Sequence, residues 1–203
     1  MRLSFAAAAL SLLVVLVGCL QPESGAPGHP NAIIVRQFAY STGVVALDPS
    51  FGFSLYRGAP GVPPQQRAAA VGRAAAFSLA DAVVEQLTSL GYDAIRSDTA
   101  SAEPGGRALI VTGAFRHIDE GRRRQNAGVV VEVEVDFQAE AGSAPQRLTA
   151  FRLDSQRIRR EPLTGVAARH GANVNAAAIS IGHEIARYAT DLARLNKWPG
   201  AAR

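Results

Sequence analysis

The chain has 203 residues, 21 of them basic and 17 acidic, for a net charge of +4. That balance is mild; a nucleic-acid surface needs basic residues gathered on one face beside aromatic side chains, so this class is set aside. A single cysteine, Cys19, excludes an intramolecular disulfide and a zinc–cysteine site.

The first element is a targeting segment. Arg2 gives a positive start, Leu3 to Leu16 is almost uninterruptedly apolar, and the small pair Val17-Gly18 leads to Cys19. This is the layout of a secretory signal, too short to span ~30 Å of hydrocarbon comfortably. Leu16-Val17-Gly18-Cys19 resembles the lipobox of bacterial lipoproteins; the alternative is an ordinary signal peptide with a chance cysteine. The resemblance implies cleavage between Gly18 and Cys19, lipid on the Cys19 sulfur, and acylation of the new amino terminus. Several acyl chains on one residue meet the two-signal requirement for stable anchoring. Leu20 stands where an aspartate would favour inner-membrane retention, so the expected location is the outer membrane, facing the periplasm. Residues 1–18 hold one of the 21 basic residues and no acidic one, so the mature balance is +3, and no thiol remains free.

Residues 19–31 form the acylated cysteine and a Pro/Gly/Ser-rich tether, 32–199 a single globular domain, and 200–203 a tail. AIIVRQFAY (32–40) reads as a strand from its β-branched content. Residues 41–66 form a long Gly/Pro-rich loop that nevertheless carries Val44, Val45, Leu47, Phe51, Phe53, Leu55 and Tyr56. Loops of this length are usually functional or disordered, and disorder is poor in such residues. Helical spacing of Val71, Ala75, Leu79, Ala82, Val83, Leu87 and Leu90 predicts a helix over about Pro64–Leu90, capped by Gly91. A short strand, Ala94–Ser97, and a polar loop come next. Strand-like segments at 107–119, 127–141 and 146–158 follow in series. A last helix over 173–198 has Val174, Ala178, Ile181, Ile185, Tyr188, Leu192 and Leu195 as its apolar stripe and Asn173 or Asn175 as its cap. The expected class is α/β: a mixed or antiparallel sheet of four to five strands packed by two amphipathic helices, in a two- or three-layer sandwich.

FAYSTGVVALDPSFGF, GRALIVTGAFRHIDEGRRRQN, LTAFRLDSQ, GANVNAAA and RYATDLARLNKWPG together resemble a family of proteobacterial lipoproteins catalogued as domain of unknown function 4410. The resemblance spans nearly all of the mature chain and brings no catalytic motif. The element order is also similar to small periplasmic accessory lipoproteins that act by binding partners, although fold does not dictate function.

Four groups of residues carry candidate chemistry. Glu132, Glu134 and Asp136 alternate with valines, which on a strand gives an acidic stripe rather than a converging metal cage; Arg116, Arg147 or Arg152 on neighbouring strands would balance it. His117 with Asp119 or Glu120 could activate water, but no second histidine sits at ligand spacing and no hydrolase or phosphate-loop motif occurs. Arg122, Arg123 and Arg124 at a hairpin tip can grip carboxylate or phosphate; Arg157, Arg159 and Arg160 form a second such cluster. Trp198 reads as a core or rim plug.

The function these residues favour is a membrane-anchored periplasmic lipoprotein, binding or assembling another envelope component, whether protein or cell wall. Its contacts would come from Phe51, Phe53, Tyr56 and Arg122–Arg124. Neither cofactor nor metal is called for, and the oligomeric state is open. The alternatives are an envelope hydrolase using His117 with Asp119 or Glu120, and a structural lipoprotein without a specific partner.

Overall fold

The computed structural model describes residues 28–48, 61–98, 105–121, 126–158 and 173–198. The signal segment with Gly18 and Cys19, the loop residues Phe51, Phe53 and Tyr56, and the hairpin arginines Arg122–Arg124 lie outside the described residues.

Strand β1 is Ala32–Arg36, with Ile33, Ile34 and Val35 all buried. Val35 stands opposite Val111 and Ala39 opposite Ala114, so three residues (Arg36 to Phe38) face only two. An extra residue of this kind bends the strand, and the shift turns Phe38 into the core. There its ring covers Gly113, where any Cβ would meet it at 2.6 Å. A 3-10 turn at Thr42–Val44 leads into β2, Val45–Ala46, which runs parallel to the end of β4 (Ala108–Asp119). The front of the long loop is thus part of the sheet, with Val44 and Val45 packed on the core.

Helix α1, Pro64–Ser89, starts with proline at its first position, where no amide donor is needed. It stops at Gly91, whose φ of 84° lets its N–H reach Thr88 O while the Tyr92 N–H reaches Leu87 O. Strand β3, Ala94–Ser97, returns parallel to β1. After β4 come β5 (Gly128–Gln138) and β6 (Gln146–Asp154), an antiparallel meander. Helix α2, Val174–Leu195, is capped by Asn173, whose side chain accepts the Ala176 N–H at 2.8 Å.

The order across the sheet is β3-β1-β4-β5-β6, with β2 added alongside β4. The class is the expected mixed α/β arrangement, and the two-residue β2 is a sixth strand beyond the anticipated five. One continuous core joins Ile33, Val35, Leu109, Val111 and the alternate valines of β5 to both helices, which fixes two layers. The opposite face of β5 presents Glu132, Glu134 and Asp136, while nearer β1 that face buries Ile34 and Ile110.

The helices meet through small residues. Gly182 lies against Ala82, Leu79 and Val83, and Ala186, Ala189 and Ala193 continue the buried strip of α2. This corrects the predicted stripe: Val174 to Ile185 are buried, but Tyr188 is 43% and Leu195 81% exposed. Alanines allow the close approach that larger side chains would prevent, so the core face of α2 follows them rather than the bulky residues. Tyr188 instead stacks on Phe151 of β6, with centroids 4.5 Å apart, and Trp198 stacks on Phe137, sealing the core's other end. Among the described residues no helix is long and apolar enough to cross a membrane.

Candidate functional site

The distal end of β4 holds the most elaborate polar cluster. Glu120 follows β4 directly, and its N–H donates to Ala46 O at 3.0 Å. Its Oε2 accepts from the Asp48 N–H at 2.9 Å and from Arg67 Nη2 at 2.6 Å. Arg67 Nη2 also donates to Asp48 O at 3.1 Å. The two charged side chains are only 12% and 11% exposed. Charges taken from water to this degree need good geometry and further hydrogen bonds to persist, and this pair has both.

Three chain segments are tied by that knot. Asp48 is the last described residue before 49–60, Arg67 lies in the first turn of α1 where the chain returns, and Glu120 stands at the root of the β4–β5 hairpin that carries Arg122–Arg124. Gly121 (φ 75°) makes the turn outward, its N–H bonded to Asp119 Oδ1 at 2.8 Å. The two segments selected from sequence as contact surfaces therefore spring from one place. Nothing in the sequence signalled the knot: Arg67 and Glu120 are 53 residues apart, and Arg67 reads as one polar residue in an alanine-rich helix.

The chain's N-terminal side enters the sheet at the opposite end of the same strand. Asn31 N–H bonds Arg107 O at 2.8 Å, next to Ala108 where β4 begins. Eleven residue steps at ~3.4 Å place the knot about 37 Å from that entry along the strand.

His117 is exposed and pairs in register with Val130, just after the bulge that displaces Arg116. Asp119 lies on the same face, but one of its oxygens holds the Gly121 N–H, and Glu120 is committed to Arg67 and Asp48. Among the described residues no three histidine, cysteine or acidic side chains gather as a metal site.

The acidic stripe on β5 is balanced as its neighbours suggested. Arg116 pairs with Glu132 at 2.6 Å, and Arg147 pairs with Glu134 and stands 3.8 Å from Asp136; Arg152, in register with Glu132, is exposed. Such exposed pairs contribute little, with a median of ~0–1 kcal/mol. Asp136 is different. Burial pushes its carboxyl above the ordinary aspartate range against the pull of Arg147, Glu134 adds to the rise, and Arg36 opposes it. Between the usual value of 3.8 and the raised one, the folded protein keeps a proton that the unfolded chain has released. Stability from this group therefore falls as pH rises through that window. Asp136→Asn is expected to be at least as stable as the parent near pH 7, with its advantage shrinking as pH falls through that window and lost below 3.8. Urea unfolding of both proteins at the two pH values checks this, and an advantage that grows on acidification contradicts it.

No family model matches the chain, and no curated protein matches it in sequence. Among solved structures, protein XCC0632 from Xanthomonas campestris, described under family DUF330, is 15% identical with a TM-score of 0.44, covering 85% of this chain and 93% of that one. A neuraminyllactose-binding hemagglutinin homolog from Helicobacter pylori is 11% identical with a TM-score of 0.38, covering 86% of this chain and 95% of that one.

Proposed function

We propose that the protein is a lipoprotein anchored through Cys19 in the outer membrane, facing the periplasm, and that it acts as a binding or assembly accessory for another envelope component. The resemblance to the lipoprotein family catalogued as domain of unknown function 4410 is part of this reading. The observation that carries it is the shared root of the 41–66 loop and the Arg122–Arg124 hairpin, about 37 Å along β4 from the tether's entry. An anchor at one end of a rigid sheet leaves the other end to reach outward. The acyl chains supply position and local concentration, so the domain need supply only recognition.

Phe51, Phe53 and Tyr56 supply apolar anchors on this reading, and Arg122–Arg124 supply bidentate donors for acidic groups of the partner. The test uses three full-length variants expressed in cells. Arg122–Arg124→Ala and Phe51/Phe53→Ser are expected to lose partner co-purification by about tenfold or more, while His117→Ala retains it. Loss on His117→Ala alone, with both loop variants unaffected, contradicts the proposal and favours the hydrolase reading.

A further inference from the structure

The sheet ends at β6, and among the described residues nothing pairs with its outer side. Ser155 N–H bonds Val129 O at 3.0 Å, so Leu153, Phe151 and Thr149 turn their backbone groups towards β5, while Ala150 and Arg152 turn theirs outward. Helix α2 runs antiparallel beside this edge: Tyr188 lies on Phe151, and Trp198 lies on Phe137, opposite Gln146. The side of α2 towards the edge carries Glu184, Arg187, Tyr188, Asp191, Arg194 and Leu195, spaced as one helical face.

That side is complementary to itself in charge. Glu184 and Arg194 stand equally far either side of Ala189, and so do Arg187 and Asp191. A second α2 turned end for end therefore sets each acid opposite an arginine of the other copy, as a two-fold contact requires. Within one chain the same charges make only i,i+3 pairs, Arg187 with Glu184 and Arg194 with Asp191, which hold little by themselves.

Its shape is complementary in the same sense. Leu195 is 81% exposed, and Leu153, Asp154, Ile158, Glu184 and Arg187 line a cavity of about 670 Å³. Leu195 lies ~10 Å past Tyr188 along α2, and Asp154 lies ~10 Å from Phe151 the other way along β6. The reversal thus brings Leu195 of each copy to the cavity of the other. Pairing of β6 about Phe151, level with this centre to ~1.5 Å, matches Ala150 with Arg152 of the other copy, each exchanging both backbone bonds. It also sets the two Phe151 rings side by side. Pairing about Ala150 runs into the extra residue Leu148, and pairing about Arg152 sets two guanidinium groups face to face.

We infer that this edge joins a second copy of the chain in a two-fold dimer, β6 antiparallel to β6 and α2 to α2. The axis runs perpendicular to the sheet, which continues from one copy into the other with all four helices on one face. The two N-terminal entries then lie at opposite ends. Both reach one membrane when the axis lies along its normal, and both knot ends stay free.

The test measures association of the full-length protein by native mass spectrometry and sedimentation. The parent is expected to be a dimer at about 10 µM. Arg187→Asp and Asp191→Arg each set like charges across the axis, and each is expected to raise the dissociation constant about tenfold or more. Leu195→Asp is expected to weaken the dimer to a similar degree. An equimolar mixture of Arg187→Asp and Asp191→Arg restores opposite charges at both contacts, and its heterodimer is expected to form within about threefold of the parent's affinity. That recovery needs two folded chains, so a folding defect cannot imitate it. A parent that stays monomeric at about 100 µM overturns the inference. So do charge variants or Leu195→Asp that dimerise as tightly as the parent, and a mixture that associates no more tightly than either variant alone.

Discussion

Arg67→Ala is expected to lower the stability of the domain by about 3–5 kcal/mol, which corresponds to a fall in midpoint of at least about 6 °C for a domain of this size. The substitution leaves Glu120 shielded at 11% exposure without its cation, and it removes the Asp48 carbonyl's donor in the same step. The cost is that of a stranded charge rather than the net value of the pair. Replacing both partners, Arg67→Met with Glu120→Leu, is therefore expected to be less damaging than Arg67→Ala alone. Thermal and urea unfolding of the two proteins decide this. An Arg67→Ala variant within about 1 kcal/mol of the parent sinks the claim that the knot holds this end together. Hydrogen exchange adds a local reading: protection at Val45 and Ala46 should fall before that of β5, because these two residues depend on the knot.

The second large effect is at the helix–helix contact. A Cβ on Gly182 would stand 2.7 Å from the Ala82 Cβ and 2.9 Å from the Leu79 carbonyl oxygen. Alanine at a helix-interior position would ordinarily stabilise by about 1 kcal/mol over glycine. Here the obstacle is the backbone of α1, which cannot turn aside as a side chain can. Overpacking costs about 1–3 kcal/mol, so Gly182→Ala is expected to be net destabilising and Gly182→Leu more so. Denaturant midpoints rank the three proteins, and a Gly182→Ala protein more stable than the parent contradicts the packing described.

Periodicity accounts for what was legible. The alternation of β5, the 3.6-residue spacing of α1 and the caps at Gly91 and Asn173 are local signals, and each is present as read. The C-terminal half of α2 was misread because bulky apolar residues were taken as its core face. The small ones form that face, since the two helices approach so closely at Gly182, against Ala82 and Leu79, that larger side chains do not fit between them. Strand β2 was missed because two residues carry no period, and it exists only through its register with Ile118 and Asp119. Glu120, which with Asp119 is one of two partners for His117 in the alternative hydrolase reading, has its carboxylate on Arg67, 53 positions away, a pairing that sequence proximity does not signal.

The central claim is that one end of this domain, remote from its tether, is a recognition surface. Site-specific photocrosslinking in cells tests it most directly, with the crosslinker placed in turn at Phe53, Arg123 and Ser143 of the full-length chain. Ser143 lies in the β5–β6 turn at the tether's end of the sheet and serves as the control. The same envelope partner captured from positions 53 and 123, and absent from 143, is the expected result. Different partners from 53 and 123, or equal capture from all three positions, would show that the two segments do not form one surface.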